Sequence, residues 1–415
     1  NMVMGGLLII YTVTGGAKAV AYTQQLQLFI IFAGMFVAGY YMVHKLPDGM
    51  GFTDALKVSG ASGKLNVITT GITEIGFDWK DKYNLISGLI GGFFLALSYF
   101  GTDQSQVGRY LTAKDVTESK MSLLLNGIVK IPMQFLILLM GALLFAFYSF
   151  TNAPVFFDQA TQNQAMQTAA KPILLQQEQN YAAAQAQYQY YVKRFTSDEL
   201  QTSQYKDSIK VASKQVDSLR KAYKQTIQKS LGKQDVNDTN YIFLRFVIDN
   251  LPKGLVGLLI AIIFLAAWGS IAAALNSLAG CTIIDFHMLL FPASLQNADM
   301  QLQQQKQYRY SKFYTLLWGA FSVATAQFAS GLGSLIEAVN VLGSLFYGVI
   351  LGIFLVGFYL KHIGGKAVFA AAIIGELLVI LCFWLDKKGI IGLGFLWLNV
   401  LGALLVVIGA WLLNF

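Results

Sequence analysis

The stretch LPKGLVGLLIAIIFLAAWGSIAAALNSLAGCTIIDF, residues 251–286, decides the fold. From 254 to 284 it contains no Asp, Glu, Lys or Arg. About 20 apolar residues suffice for a helix to cross the hydrocarbon core, and a barrel strand needs about half that. A lipid-exposed backbone must satisfy its own hydrogen bonds, so a block this long is expected to be a helix. Outward from it the same pattern recurs over 18–43, 84–102, 121–150, 311–333, 335–360, 366–385 and 390–415. The expected class is therefore all-α integral membrane.

Composition agrees. Of 415 residues, 55% are hydrophobic and only 13% charged, against about a quarter charged in soluble domains. The net charge of +8 does not point to nucleic acid, because the basic residues sit in loops and in one polar segment rather than in a basic aromatic stripe. Cys281 and Cys382 lie inside apolar spans and match no zinc or redox spacing, so both are read as packing residues. The spans hold no His pair, acid cluster or nucleophile beside a base, which argues against an enzyme.

Three regions follow. Membrane helices are expected over 1–150 and again over 241–415. Between them, 151–240 is rich in Gln, Ala, Tyr and Lys, as in QQEQNYAAAQAQYQYYVKRF, and reads as a polar helical insertion interrupted near Ser197 and Asp198. The apolar stretch 3–12 is too short to span, and Asn1 is not an initiator residue. The chain is therefore expected to begin partway through a larger protein. Lys and Arg in short loops mark the cytoplasmic side. Arg109, Lys114 and Lys120, then Lys306, Arg309 and Lys312, then Lys361 and Lys366, fall on one side by alternation. The insertion 151–240 is then extracytoplasmic, in a multi-pass protein of the plasma membrane.

Lys130 lies about ten residues into the span 121–150, roughly 15 Å deep at about 1.5 Å per residue. A charge at that depth costs at least about 2.5–3.5 kcal/mol unless paired or hydrated. It is a candidate functional residue on physics alone. Glu376 also sits within a span and is given no role.

Four motifs, in order, resemble the sodium:solute symporters. They are IYTVTGGAKAVAYTQQLQ at 10–27, SYFGTDQSQVGRYLTAK at 98–114, the 251–286 stretch, and VNVLGSLFYGVILGIFLVGFYLK at 339–361. The resemblance implies an inverted repeat of five plus five helices with the solute held near the midplane. It also implies that core helices one to three and most of four are missing from these residues. The 251–286 stretch resembles the eighth core helix, whose A-x-x-S-[ST] pattern binds sodium. It falls on Ala266, Gly269 and Ser270, where the helix is expected to bend open, with the Ala266 carbonyl and the Ser270 hydroxyl as metal ligands. Gly269 departs from the pattern and removes one hydroxyl. A second sodium site of some members falls on Gln24, Ala272 and Ala273, and is expected to be absent.

By the same resemblance Tyr99 and Phe100 form an aromatic gate on the inner side of the solute site. Lys130 and Asn340 contact the solute, while Ala96 stands where sugar-transporting members have an Asn. Asp103, Gln104 and Arg109 are expected to be structural and gating elements. The implied function is secondary active transport, coupling sodium influx to uptake of a small polar solute, a sugar or sugar derivative, by alternating access. The implied partners are sodium, the solute and the bilayer, with the oligomeric state open. A sodium-independent uniporter and a transporter-like sensor module remain as alternatives.

Overall fold

The computed structural model describes residues 2–66, 68–74, 76–111, 113–197, 202–232, 236–291, 300–326 and 335–414. The chain begins with α1 (Met2–His44), α2 (Phe52–Ala61) and a two-strand hairpin, β1 (Ile72–Thr73) with β2 (Gly76–Phe77). Then come α3 (Leu85–Thr102), α4 (Gln104–Leu111) and α5 (Val116–Phe150). The polar region supplies α6 (Gln159–Met166), α7 (Lys171–Ser197) and α8 (Thr202–Leu231). After it follow α9 (Ile242–Asn250), α10 (Lys253–Cys281), a π-helical turn over Thr282–His287 and α11 (Met288–Leu290). Last are α12 (Met300–Ala326), α13 (Leu335–Tyr359), α14 (Gly365–Lys387) and α15 (Leu396–Leu412).

Six helices are long and apolar enough to cross a membrane, counted among the described residues. Five of them match the expected spans 84–102, 121–150, 254–284, 335–360 and 366–385 to within a few residues, and the sixth, Leu26–His44, covers the later part of the expected 18–43. The chain is a multi-pass α-helical membrane protein. The span expected over 390–415 is the shorter apolar helix α15. The one expected over 311–333 begins within α12, and its end lies outside the described residues. One boundary differs. The stretch 3–12, too short to span alone, is the start of α1, which runs unbroken from Met2 to His44. Lys18 and the Gly15–Gly16 pair interrupt the apolar run without interrupting the helix. A helical glycine costs only about 1 kcal/mol.

The chain packs as two compact units, one of Asn1–Asn66 with Gly127–Gly331, the other of Val67–Asn126 with Leu332–Phe415. The whole of 151–240 belongs to the first, in which α10 packs on α1 and α12. The α7–α8 hairpin does not hang free. Val192 and Ile209 from the hairpin share one core with Met42 of α1, Val58 of α2, Phe147 of α5 and Phe246 of α9. The Ser59 hydroxyl donates to the Ala142 carbonyl at 2.8 Å, tying α2 to α5. In the second unit α15 lies between α13, α14 and α3. A Cβ on Gly348 would stand 2.5 Å from the Asn399 carbonyl oxygen, and one on Gly352 would stand 2.9 Å from that of Ala403. These glycines let two backbones touch, which is how membrane helices gain contact without a hydrophobic driving force. At the same crossing buried Asn399 donates through Nδ2 to the Ser344 hydroxyl at 2.9 Å.

Candidate functional site

In the first unit, Ala266, Gly269 and Ser270 stand at i, i+3 and i+4 and so share one face of α10. Gly269 is buried and continues a stripe with Ala272, Leu275 and Ala279, each at most 1% exposed. Ala266 is half-buried, and Ser270 is exposed at the open edge of the face. The sequence led us to expect the helix to bend open here and bare its carbonyls. That expectation fails. The helix is regular through the three residues, and its one irregular turn comes later, at Thr282–His287. Nothing in Ala-x-x-Gly-Ser removes a backbone donor, so the i→i−4 ladder closes across it. The Ala266 carbonyl retains its second lone pair, and the Ser270 hydroxyl stands at the exposed edge of the face.

Lys130 also belongs to this unit. It is exposed, and it stands in the apolar first half of α5 among exposed Ile128, Val129 and Ile131. Two residues later Pro132 interrupts the ladder. A proline has no N–H to donate, so the Ile128 carbonyl loses its helical partner. A cation and a carbonyl that lacks its helical i+4 donor therefore lie within one turn of α5.

In the second unit the ring of Tyr99 meets Phe100 edge-on, with centroids 5.0 Å apart, and lies 6.3 Å from the ring of Tyr347. The Tyr347 hydroxyl donates to Asp103 Oδ2 at 3.0 Å. The other oxygen of Asp103 accepts from the Ser105 amide at 2.8 Å. The Ser98 hydroxyl donates to the Tyr347 carbonyl at 2.7 Å. The aromatic group is thus held on a hydrogen-bonded frame spanning α3 and α13. Asp103 fits the structural part expected of it, caught between two donors where α3 ends. Gln104 opens α4 beside it and is exposed, and the side chain of Arg109 lies outside the described residues. Asn340 is half-buried on α13, seven residues before Tyr347 and so on the same face. Tyr347 was missed in the sequence. Its partners are remote along the chain, and the spacing from Asn340 was the only available signal. The side chain of Gln24 lies outside the described residues, while Ala272 is fully buried.

The model of the sodium:solute symporter family matches residues 2–182 and 223–375. The chain belongs to that family. It is 22% identical to the sodium/sialic acid symporter NanT of Aliivibrio fischeri over 99% of this chain and 62% of that one. A putative sodium-dependent multivitamin transporter of Drosophila melanogaster is 31% identical, over 36% of this chain and 24% of its own. Rat sodium/glucose cotransporter 2 is also 31% identical, over 33% and 22%. A solved structure of a Na+-coupled sialic acid symporter, in a substrate-bound outward-open state, superposes with a TM-score of 0.64 at 20% identity. It covers 99% of this chain and 65% of that one, so the fold is shared. The chain spans less than two thirds of the length of these relatives. The unmatched gap between the two family segments, 183–222, falls within the α7–α8 hairpin.

Where that hairpin meets the segment after it lies a charged cluster which the sequence did not reveal. Asp238 is fully buried and pairs with Arg220 at 2.7 Å and with Lys224, and it accepts from the Phe157 amide at 2.8 Å. Burial pushes its carboxyl up, but Arg220, Lys224 and the amide together outweigh burial and hold it below its ordinary value. Nearby, the Tyr223 hydroxyl donates to Glu178 at 2.7 Å, and burial raises the Tyr223 pKa.

Proposed function

We propose that this chain forms most of a symporter that couples sodium influx to uptake of a small polar solute by alternating access. The observation that carries the proposal is the small-residue face of α10. Ala266 and Gly269 bring the backbone close to whatever lies against that face, and the Ser270 hydroxyl stands at its edge. Sodium is a hard cation that favours carbonyl and hydroxyl oxygens, and this face offers both. The solute is read as a sugar or sugar derivative. Supporting this are the aromatic group of Tyr99 and Phe100, the cation of Lys130, and the amide of Asn340, which both donates and accepts. One sodium per cycle is favoured, because Ala272 and Ala273 offer no hydroxyl for a second. The protein is placed in the plasma membrane, with the basic loops cytoplasmic and 151–240 on the opposite side.

Coupling means that sodium stabilises the conformation in which solute binds. The deciding experiment is uptake of labelled N-acetylneuraminate and D-glucose into proteoliposomes holding the full-length protein, across a sodium titration. Sodium should raise apparent solute affinity. A flat response would leave the sodium-independent uniporter, which one observation favours: Gly269 lacks the hydroxyl found in the family's pattern.

A further inference from the structure

The first unit contains a cavity of about 390 Å³ where the α7–α8 hairpin meets the ends of α5 and α9. Its size falls within the range of small-molecule sites. Much of its wall is aromatic, from Tyr148 of α5, Phe157, Tyr181 and Tyr188 of α7, and Phe243 of α9. Two of these rings, Tyr188 and Phe157, make side-chain contacts that hold them, and the backbone beside a third is tied to α7. The Tyr188 hydroxyl is paired with the Ser149 hydroxyl at 3.1 Å. The Gln185 amide donates to the Tyr148 carbonyl at 3.1 Å. The Arg220 guanidinium lies 5.0 Å from the centre of the Phe157 ring, while its Nε donates to the Val155 carbonyl at 3.2 Å. The wall is thus tied together by contacts between α5, α7, α8 and the 155–157 segment.

Its charges balance. Asp217 and Arg220, one turn apart on α8, are the charged side chains of the wall. Behind them buried Asp238 is matched by Lys224. An ionic ligand would leave water without finding a net counter-charge, which is costly. Arg220 is already committed to Asp238, whereas Asp217 is exposed and makes no ion pair among the described residues. The wall therefore offers flat apolar ring faces, a carboxylate that accepts hydrogen bonds and the hydroxyl of Tyr181. A pyranose complements all three. Its C–H face lies on aromatic rings and its hydroxyls donate to a carboxylate.

We propose that this cavity is a binding site for a neutral pyranose sugar, built by the insertion and independent of sodium. It stands apart from the transport site on α10 and does not depend on the transported solute being a sugar. The test uses the full-length protein in lipid nanodiscs, free of sugar-based detergent and of sodium, titrated by saturation-transfer NMR. The probes are D-glucose, N-acetylneuraminate and choline. We expect saturable binding of D-glucose, with the acidic and cationic probes at least about tenfold weaker. Asp217→Asn should weaken D-glucose binding about tenfold, as expected for loss of a charge-assisted hydrogen bond, and Tyr181→Phe should weaken it as well. Asp217 is exposed, so its variant should fold, and an unchanged melting temperature checks that. The proposal is overturned by no saturable D-glucose signal, as when lipid fills the cavity. It is also overturned by preference for either ionic probe, or by binding that survives both substitutions. Sodium-coupled uptake without this binding would sink only the cavity proposal, and this binding without coupling would sink only the symport reading.

Discussion

At the scale of the residue, two side chains carry the largest consequences. Ser270 is the exposed hydroxyl at the edge of the α10 face. Ser270→Ala should raise the sodium concentration needed for half-maximal uptake about tenfold, or about 1.4 kcal/mol, while D-glucose binding in the absence of sodium stays unchanged. Uptake measured across a sodium series checks this, and an unshifted midpoint would remove Ser270 from the ion site. Tyr347 holds the aromatic group of α3 through Asp103. Tyr347→Phe keeps the ring and loses one bond to a carboxylate, worth about 1.5–3 kcal/mol. Transport, measured as initial uptake rate per folded protein, should fall by about fivefold or more. Tyr347 was invisible in the sequence because hydropathy says which residues leave water, not which distant hydroxyl meets which carboxylate.

At the scale of the element, the insertion is a folded part of the first unit rather than a loose loop. Its stability should depend on Asp238. Removing one partner from a buried charge cluster costs about 3–5 kcal/mol, so Asp238→Asn should open the α7–α8 hairpin to limited proteolysis while leaving α13–α15 protected. The pH dependence has a definite sign. Asp238 is held below its ordinary value of about 4. Its contribution is therefore complete above that value and is lost as pH falls below it. Amide exchange over 202–231 should accelerate on acidification below about pH 4 in the parent, and the variant should lack that step. The polar composition of 151–240 made its helices legible in advance. The cluster was not, because Asp238, Arg220 and Lys224 come together only when the hairpin closes on the 232–241 segment.

At the scale of the whole molecule, tight helix crossings set what the membrane region tolerates. Gly352 lets α13 lie against the Ala403 carbonyl of α15. Gly352→Leu should force those helices apart and lower detergent-solubilised yield and thermal stability, whereas substitution at Gly357, which has open space around it, should not. Coupling is also a property of the whole. If sodium raises solute affinity by some factor, the solute must raise sodium affinity by the same factor. Paired titrations on the full-length protein check the equality.

The sequence by itself determined the membrane class, the apolar blocks from which the six long helices form, and the family. Each rests on local hydropathy or on motifs read within a single stretch. The tertiary structure decided that α1 is one helix from Met2 to His44, that α10 stays regular through Ala266–Ser270, and that Tyr347 and Asp238 hold their neighbours in place. Apolar length commits a segment to the bilayer whatever it touches, but the face a helix buries and the partner a polar group finds depend on contacts between residues far apart in the chain.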